Sequence, residues 1–215
     1  MKDLIIIGAS GFGREVAWLI ERINAVKPTW NIIGFVDDNE GIWNTEVGGY
    51  KVLGGSKAVA SFSAVYYICA VGAAKTRKAI IDSVETVLPA IKYATLIDPT
   101  VMISDRAKIG NGCIICAGSI ITVDIEIGNH VIVNLDCTIG HDAVIADFVT
   151  LYPSVNVSGK TNVGECAELG TDVQIIQGKA IGEDTIVGAG AVVVKDLPAK
   201  CTAVGSPAKP IKFHE

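Results

Sequence analysis

From Ile97 onward, every sixth residue of the chain is aliphatic. The series runs Ile97, Ile103, Ile109, Ile115, Ile121, Ile127, Val133, Ile139, Ile145, Leu151, Val157, Val163, Leu169, Ile175, Ile181, Val187 and Val193. Chance produces such a run with negligible probability at ordinary residue frequencies. A period of six matches neither the 3.6 residues of an α-helical turn nor simple strand alternation. It matches short strands joined by regular corners, with the aliphatic side chain inside a narrow prism. Stacked coils of this kind bury one continuous core. The position after the aliphatic residue is often glycine, as at Gly110, Gly128, Gly140, Gly164, Gly170, Gly182 and Gly188. We expect glycine there to relieve the corner. The fifth position of the hexad is small or β-branched, as at Ala107, Cys113, Ser119, Val131, Cys137 and Ala143, and packs beside the aliphatic residue.

The first 96 residues read differently. Leu4–Ile7 is a buried strand running into Gly8-Ala9-Ser10-Gly11-Phe12-Gly13. A helix follows over Arg14–Val26, with Val16, Leu19, Ile20 and Ile23 on its apolar side. Further strands are predicted over Ile32–Val36, Val65–Val71 and Ile91–Leu96, with a helix over Thr76–Val87. Strands alternating with helices predict a small parallel Rossmann-like sheet. The glycine spacing is G-x-x-G-x-G and not the G-x-G-x-x-G dinucleotide fingerprint. The physical logic is shared: bare backbone lets a phosphate approach a helix N-terminus. Asp37 or Asp38, closing the second strand, can accept hydrogen bonds from ribose hydroxyls or a base. About four strands fall short of the six of a full dinucleotide domain, which favours a mononucleotide or nucleotide sugar over NAD.

Composition narrows the function classes. Half of the 215 residues are hydrophobic, 19% are charged, and the net charge is −5 with Lys and Arg scattered. A nucleic-acid binder would carry a basic patch. No apolar run reaches the 18 residues of a membrane span, and Met1-Lys2-Asp3 leads into a strand rather than a signal peptide. The six cysteines lie in apolar runs and read as buried thiols in a reducing, cytoplasmic compartment. Cys113-x-x-Cys116 has metal-like spacing, but no second such pair follows.

The hexad pattern resembles the hexapeptide-repeat acyltransferases, whose fold is a left-handed parallel β-helix with three hexads per triangular coil. The seventeen hexads then make nearly six coils, running without an inserted loop. Residues 1–96 form a Rossmann-like domain in this reading, and residues 97–215 form the β-helix with a C-terminal cap. The Gly8–Gly13 loop, Val36-Asp37-Asp38 and an unbroken coil together resemble the sialic acid O-acetyltransferase and UDP-4-amino-sugar N-acetyltransferase family of bacterial surface-glycan pathways. The resemblance implies a homotrimer, acetyl-CoA between neighbouring coils, and a sugar or nucleotide sugar on the N-terminal domain.

The family's catalytic motif is a histidine followed by an acid, here His141-Asp142. A neutral imidazole can take the proton of an attacking amine or hydroxyl near neutral pH, while Asp142 favours the imidazolium. One eighteen-residue coil places Gly159 over His141, where its N–H matches the family's oxyanion donor. By resemblance, Asn134 lies near the active site. Thr150, Thr171 and Ala189 line the coenzyme A groove, largely through backbone atoms, and Lys209 meets its phosphates. Ala9, Ser10, Gly11, Asp37, Asp38 and Gly72 match the nucleotide-sugar pocket. The chain departs from many relatives in two places. Asp142 stands where they carry Glu, and Phe12 where some carry His. No metal is expected. A metal hydratase of the γ-carbonic-anhydrase type shares the coil but needs three histidines around zinc. Only His130, His141 and His214 exist, and His214, next to last in the sequence, is expected to be mobile. A non-catalytic nucleotide-sugar-binding protein is the remaining alternative.

Overall fold

The computed structural model describes residues 1–62 and 64–214. The N-terminal sheet is parallel, in the order Trp30–Val36, Lys2–Ile7, Tyr66–Cys69, Lys92–Tyr93. Alternation along Lys2–Ile7 sends Leu4 and Ile6 to helix α1 (Gly11–Val26), against Val16, Ala17 and Ile20. It sends Ile5 and Ile7 to helix α2 (Ala74–Val87), against Ile81 and Val84. The strand expected over Ile91–Leu96 divides in two. Lys92–Tyr93 completes the sheet, and Leu96–Ile97 pairs with Ile114–Ile115 as the first strand of the coil. The break falls where the Ala94 N–H still bonds Tyr67 O but the Thr95 hydroxyl already bonds Gly110 O.

The coil is a parallel β-helix of two-residue strands, each pairing with the strand eighteen residues away, as Ile114 with Ile132 and Thr138 with Asn156. Three sheets result. The first face holds the strands from Leu96–Ile97 to Ile186–Val187, the second those from Met102–Ile103 to Val192–Val193, and the third those from Lys108–Ile109 to Ala180–Ile181. Corners between the first and second faces form a first edge, containing Ala117, Asn134 and Thr171. Corners between the second and third form a second edge, containing His141 and Gly159. Corners returning to the first face form a third edge, containing His130, Phe148 and Cys166. The aliphatic series fills the interior, as expected. Cys201–Val204 and Lys209–Phe213 close the end of the first face.

The corner itself differs from expectation. Every sixth residue from Gly112 to Gly190 adopts left-handed backbone, with φ between 55° and 79°. This position lies two residues beyond the glycines of the hexad, and ten of its fourteen occupants are not glycine. Five of those ten are Asp, a residue that tolerates this conformation through its short polar side chain. The hexad glycines answer close stacking instead. A Cβ on Gly140 would lie 2.7 Å from Gly159 N, and one on Gly170 would lie 2.7 Å from Ala189 N.

The N-terminal domain sits on the first face and its two flanking edges. Leu96, Ile114, Cys116 and Ile132 join the α1 core, and Phe148 and Cys166 join the α2 core. Arg22 of α1 grips buried Asp98 in a fork at 2.6 and 3.1 Å. Burial alone would raise the Asp98 carboxyl, but hydrogen bonds from Arg22 and Thr100 outweigh it and bring it to about 2. Arg77 of α2 is 1% exposed and donates to the carbonyls of His130, Val71, Gly72 and Phe148 at 2.7–2.9 Å. All six cysteines are buried and unbridged. Burial pushes the Cys113 thiol to about 11 and Cys116 to about 12, so both act as small apolar groups. Among the described residues no helix is long and apolar enough to cross a membrane.

Candidate active site

His141 and Asp142 stand half-exposed on the second edge, Nδ1 lying 2.8 Å from the Asp142 carboxylate. Asp142 holds one of the left-handed corner positions, at φ 60°. The shorter acid thus reaches the imidazole, despite standing where relatives carry Glu. With Asp142 ionised, Nδ1 carries the proton and Nε2 presents a free lone pair. Gly159 is buried against this ring: a Cβ there would lie 2.5 Å from Nε2. Glycine is therefore required by the imidazole itself. Among the described residues the Gly159 N–H has no backbone acceptor, whereas its neighbour Lys160 donates to His141 O.

Other predicted residues gather on the first edge. Thr171 and Ala189 are exposed and stack one coil apart, with Gly190 N bonded to Thr171 O. Exposed Lys209 pairs with Val204 at the capped end of the same edge. Asn134 also lies on the first edge, one corner away from His141. Its carboxamide oxygen accepts from Leu135 N at 2.7 Å, so it braces its own turn. Thr150 is placed differently: it is 1% exposed, and its hydroxyl donates to Gly72 O at 2.7 Å. That bond ties the coil to the loop after Tyr66–Cys69. Gly72 is correspondingly a junction residue, held also by Arg77.

On the N-terminal domain, Asp37 accepts from Ala9 N at 2.8 Å and Asn39 N at 2.9 Å. Asp38 accepts from Ser56 N and Oγ at 2.7 and 3.1 Å. Both acids order the loops around a cavity lined by Gly8, Val36, Asp37, Asp38 and Ser56. Gly8 needs its φ of 101°, and Gly13 packs against the Gly8 carbonyl. Gly11 has no such demand, its nearest neighbour being Arg14 Nη2 at 3.9 Å, and Ser10 beside it is exposed with no capping bond. Sequence reasoning misses Ser56, which lines this cavity and donates to Asp38.

The three histidines do not converge. His214, expected to be mobile, is held: its N–H bonds Lys200 O at 2.7 Å, and Nε2 meets the Thr202 hydroxyl at 3.0 Å. His130 is 6% exposed, stacked on Phe148 at 5.0 Å and edge-on to Tyr93 at 4.5 Å. Burial first, and the Arg77 charge second, push it down to about 4. An unfolded histidine titrates near 6.5. As pH falls below that value the unfolded chain takes up a proton that the folded chain refuses until about 4. Stability is therefore full above about 6.5 and declines across the window down to about 4, by roughly 3 kcal/mol from this group. Urea midpoints at neutral pH and near pH 4.5 measure it, and the difference should shrink in His130→Phe.

The fold and site place the chain in the class of hexapeptide-repeat acyltransferases, and comparison with known proteins narrows the class. Residues 3–84 match the family model of the PglD N-terminal domain. The GDP-perosamine N-acetyltransferase of Escherichia coli O157:H7 is 30% identical over 215 residues, covering 96% of this chain and 95% of that protein. A perosamine N-acetyltransferase from Caulobacter crescentus, solved with CoA and GDP-perosamine as a histidine-to-asparagine variant, matches at TM-score 0.88 and 30% identity. That match covers 99% of this chain and 98% of the other. The acetyltransferase domain of PglB from Neisseria gonorrhoeae, in complex with acetyl coenzyme A, matches at TM-score 0.87 and 31% identity over 98% and 99% of the two chains. The chain belongs to the hexapeptide-repeat N-acetyltransferases of nucleotide-linked amino sugars.

Proposed function

We propose that this enzyme transfers the acetyl group of acetyl-CoA to the amine of a nucleotide-linked amino sugar, with His141 as general base. The observation that carries the reading is the His141–Asp142 pair, with Nε2 free and Gly159 bare against it. The amine nitrogen attacks the thioester carbonyl and gives its proton to Nε2. The Gly159 N–H steadies the oxyanion. Collapse of the intermediate breaks the C–S bond, and the coenzyme A sulfur leaves, taking up the proton from the imidazolium. Nitrogen is favoured over oxygen as acceptor because both perosamine relatives are N-acetyltransferases by name.

The working unit in this reading is a homotrimer. His141 and Gly159 lie on the second edge, while Thr171, Ala189 and Lys209 lie on the first. The N-terminal domain contacts named above fall on the first face and its flanking edges, away from His141. One copy's second edge meeting another's first would assemble catalytic residues, coenzyme groove and sugar site together. Repeating that head-to-tail contact closes a ring of three. Residues 1–96 then hold the acceptor through the Ala9–Gly11 loop, Asp37 and Asp38, and residues 97–215 hold the acyl donor. Such an enzyme works in the cytoplasm, where its two substrates are made, and supplies bacterial surface-glycan assembly.

Thiol release from acetyl-CoA, measured across GDP- and UDP-linked 4-amino sugars, free amino sugars and sialic acids, tests the reading. A nucleotide-linked amine should be the acceptor. Turnover with none of them would favour a binding protein without catalysis, and turnover only with a hydroxyl acceptor would move the enzyme to O-acetylation.

A further inference from the structure

Helix α2 begins without a cap of its own. Ala73 stands at its N-cap position, φ −63° and ψ 118°, with no side chain to accept a hydrogen bond. The cap comes from the coil: Glu168 Oε1 accepts from Ala74 N at 2.9 Å, across 94 residues of sequence. The other oxygen, Oε2, accepts from the Tyr152 hydroxyl at 3.0 Å. Burial first, and the Glu168 charge second, push the Tyr152 phenol up to about 12, so it stays protonated as a donor to the carboxylate. One coil earlier, Thr150 is the ladder partner of Glu168 on the first face, and its hydroxyl grips Gly72 O. Two adjacent rungs therefore hold Gly72 by its carbonyl and Ala74 by its N–H. The segment they hold is a wall of the cavity beneath the glycine loop, where Val71 lies with Gly8, Asp37 and Ser56. A Cβ on Gly8 would lie 3.1 Å from Ala70 O and 3.2 Å from Val71 Cγ2, so the glycine loop rests directly on this segment.

We propose that Glu168 is a positioning residue for the acceptor, which rests on the reading of residues 1–96 as the acceptor site. From the coil, with Thr150 beside it, it pins the Val71–Ala74 segment and so keeps the acceptor cavity preformed. The strand Glu168–Leu169 leads into the corner that carries Thr171, so the same rung fixes the cavity wall relative to the coenzyme groove. The physical ground is preorganisation: a wall already ordered spares the complex the entropy of ordering it on binding. A carboxylate suits the task, because its bond to a helix N-terminus is charge-assisted and gains from the helix dipole. Adhesion between the domains does not require this bond. Arg77, the Arg22–Asp98 fork and the shared apolar cores already join the two halves.

Calorimetric titration of the full-length protein with UDP, GDP, CDP and dTDP, and separately with coenzyme A, tests the assignment. Glu168→Ala should weaken whichever nucleoside diphosphate binds the wild type by about tenfold or more, and leave coenzyme A within about twofold. Adding Thr150→Val should widen the loss. Glu168→Gln keeps a neutral oxygen for Ala74 N and should recover most of the affinity. The deciding variant adds Ala73→Ser to Glu168→Ala, because serine returns a cap to α2 but no bond to the coil. Its melting temperature should return towards wild type while nucleotide affinity stays low. Affinity restored together with the melting temperature would make Glu168 a helix cap and nothing more, which overturns the proposal. A folded Glu168→Ala that binds the nucleotide as the wild type does overturns it equally, and leaves the acceptor reading standing. Wild-type protein that binds coenzyme A and none of the four nucleotides would remove the acceptor reading itself, and the role of Glu168 with it.

Discussion

Replacing His141 by alanine should lower kcat for acetyl transfer by about 10²–10⁴-fold, the usual contribution of a positioned general base. The KM for acetyl-CoA should change little, because the imidazole acts on the acceptor's proton and not on the coenzyme's binding surface. Tautomer and access both single out this ring. Nδ1 is committed to Asp142 at 2.8 Å, which leaves Nε2 as the basic nitrogen on a half-exposed side chain. His130 cannot substitute, since it is buried on another edge beneath Arg77. Two companion variants separate base chemistry from general damage to the edge. Asp142→Asn keeps the size of the partner but removes the charge that favours the imidazolium, and should cost activity with little change in melting temperature. Gly159→Ala places a methyl 2.5 Å from Nε2, so the ring must move or the coil must part. Its rate should fall toward that of His141→Ala. A His141→Ala enzyme within threefold of wild type would remove the histidine from the mechanism.

The coil is legible in the sequence because its burial is strictly periodic. A residue's place in the hexad gives its face, and a separation of eighteen gives its neighbour, which is how Gly159 can be set over His141 from sequence. The same ruler places Asn134 seven residues from His141 and therefore on a different edge. The family resemblance groups the two, and the proposed trimer would bring them together across a contact between copies. The left-handed corner position is not legible. Gly and Asp are common there, but His130, Phe148, Ser154, Lys160 and Cys166 occupy it too, so residue type alone does not mark it, while the conspicuous glycines mark stacking distance. On the N-terminal domain the strands and helices can be read from alternation and helical spacing. The role of Thr150 cannot, because it depends on a partner brought near only by the fold: Gly72 lies 78 residues away.

Arg77 is the extreme case of that limit, and replacing it carries the largest expected stability effect. Its sequence context is one basic residue in a helix with Lys75 and Lys78, which ordinarily means a solvated face. The fold buries it instead, and burial pushes the guanidinium below its ordinary pKa. Among the described residues no carboxylate forms a salt bridge with it. Backbone carbonyls of His130 and Phe148 from the coil, and of Val71 and Gly72 from the sheet's loop, replace its hydration shell. Methionine at this position would recover the cost of burying a charge but orphan those acceptors, each worth roughly 1–3 kcal/mol when left buried and unpaired. Four orphaned carbonyls outweigh the relief of one buried charge. Arg77→Met should therefore destabilise the protein by about 3–5 kcal/mol. At roughly 2–4 °C per kcal/mol for a chain of this size, the melting temperature should drop by about 10 °C. Lysine would keep the charge, yet its single ammonium cannot reach carbonyls on both domains in a fixed fork, and it should rescue little. The coil carries its own continuous core and should melt later than the sheet domain in the variant, so calorimetry should resolve two transitions. A single transition within about 2 °C of wild type, at this rate of conversion, would mean that Arg77 does not hold the domains together.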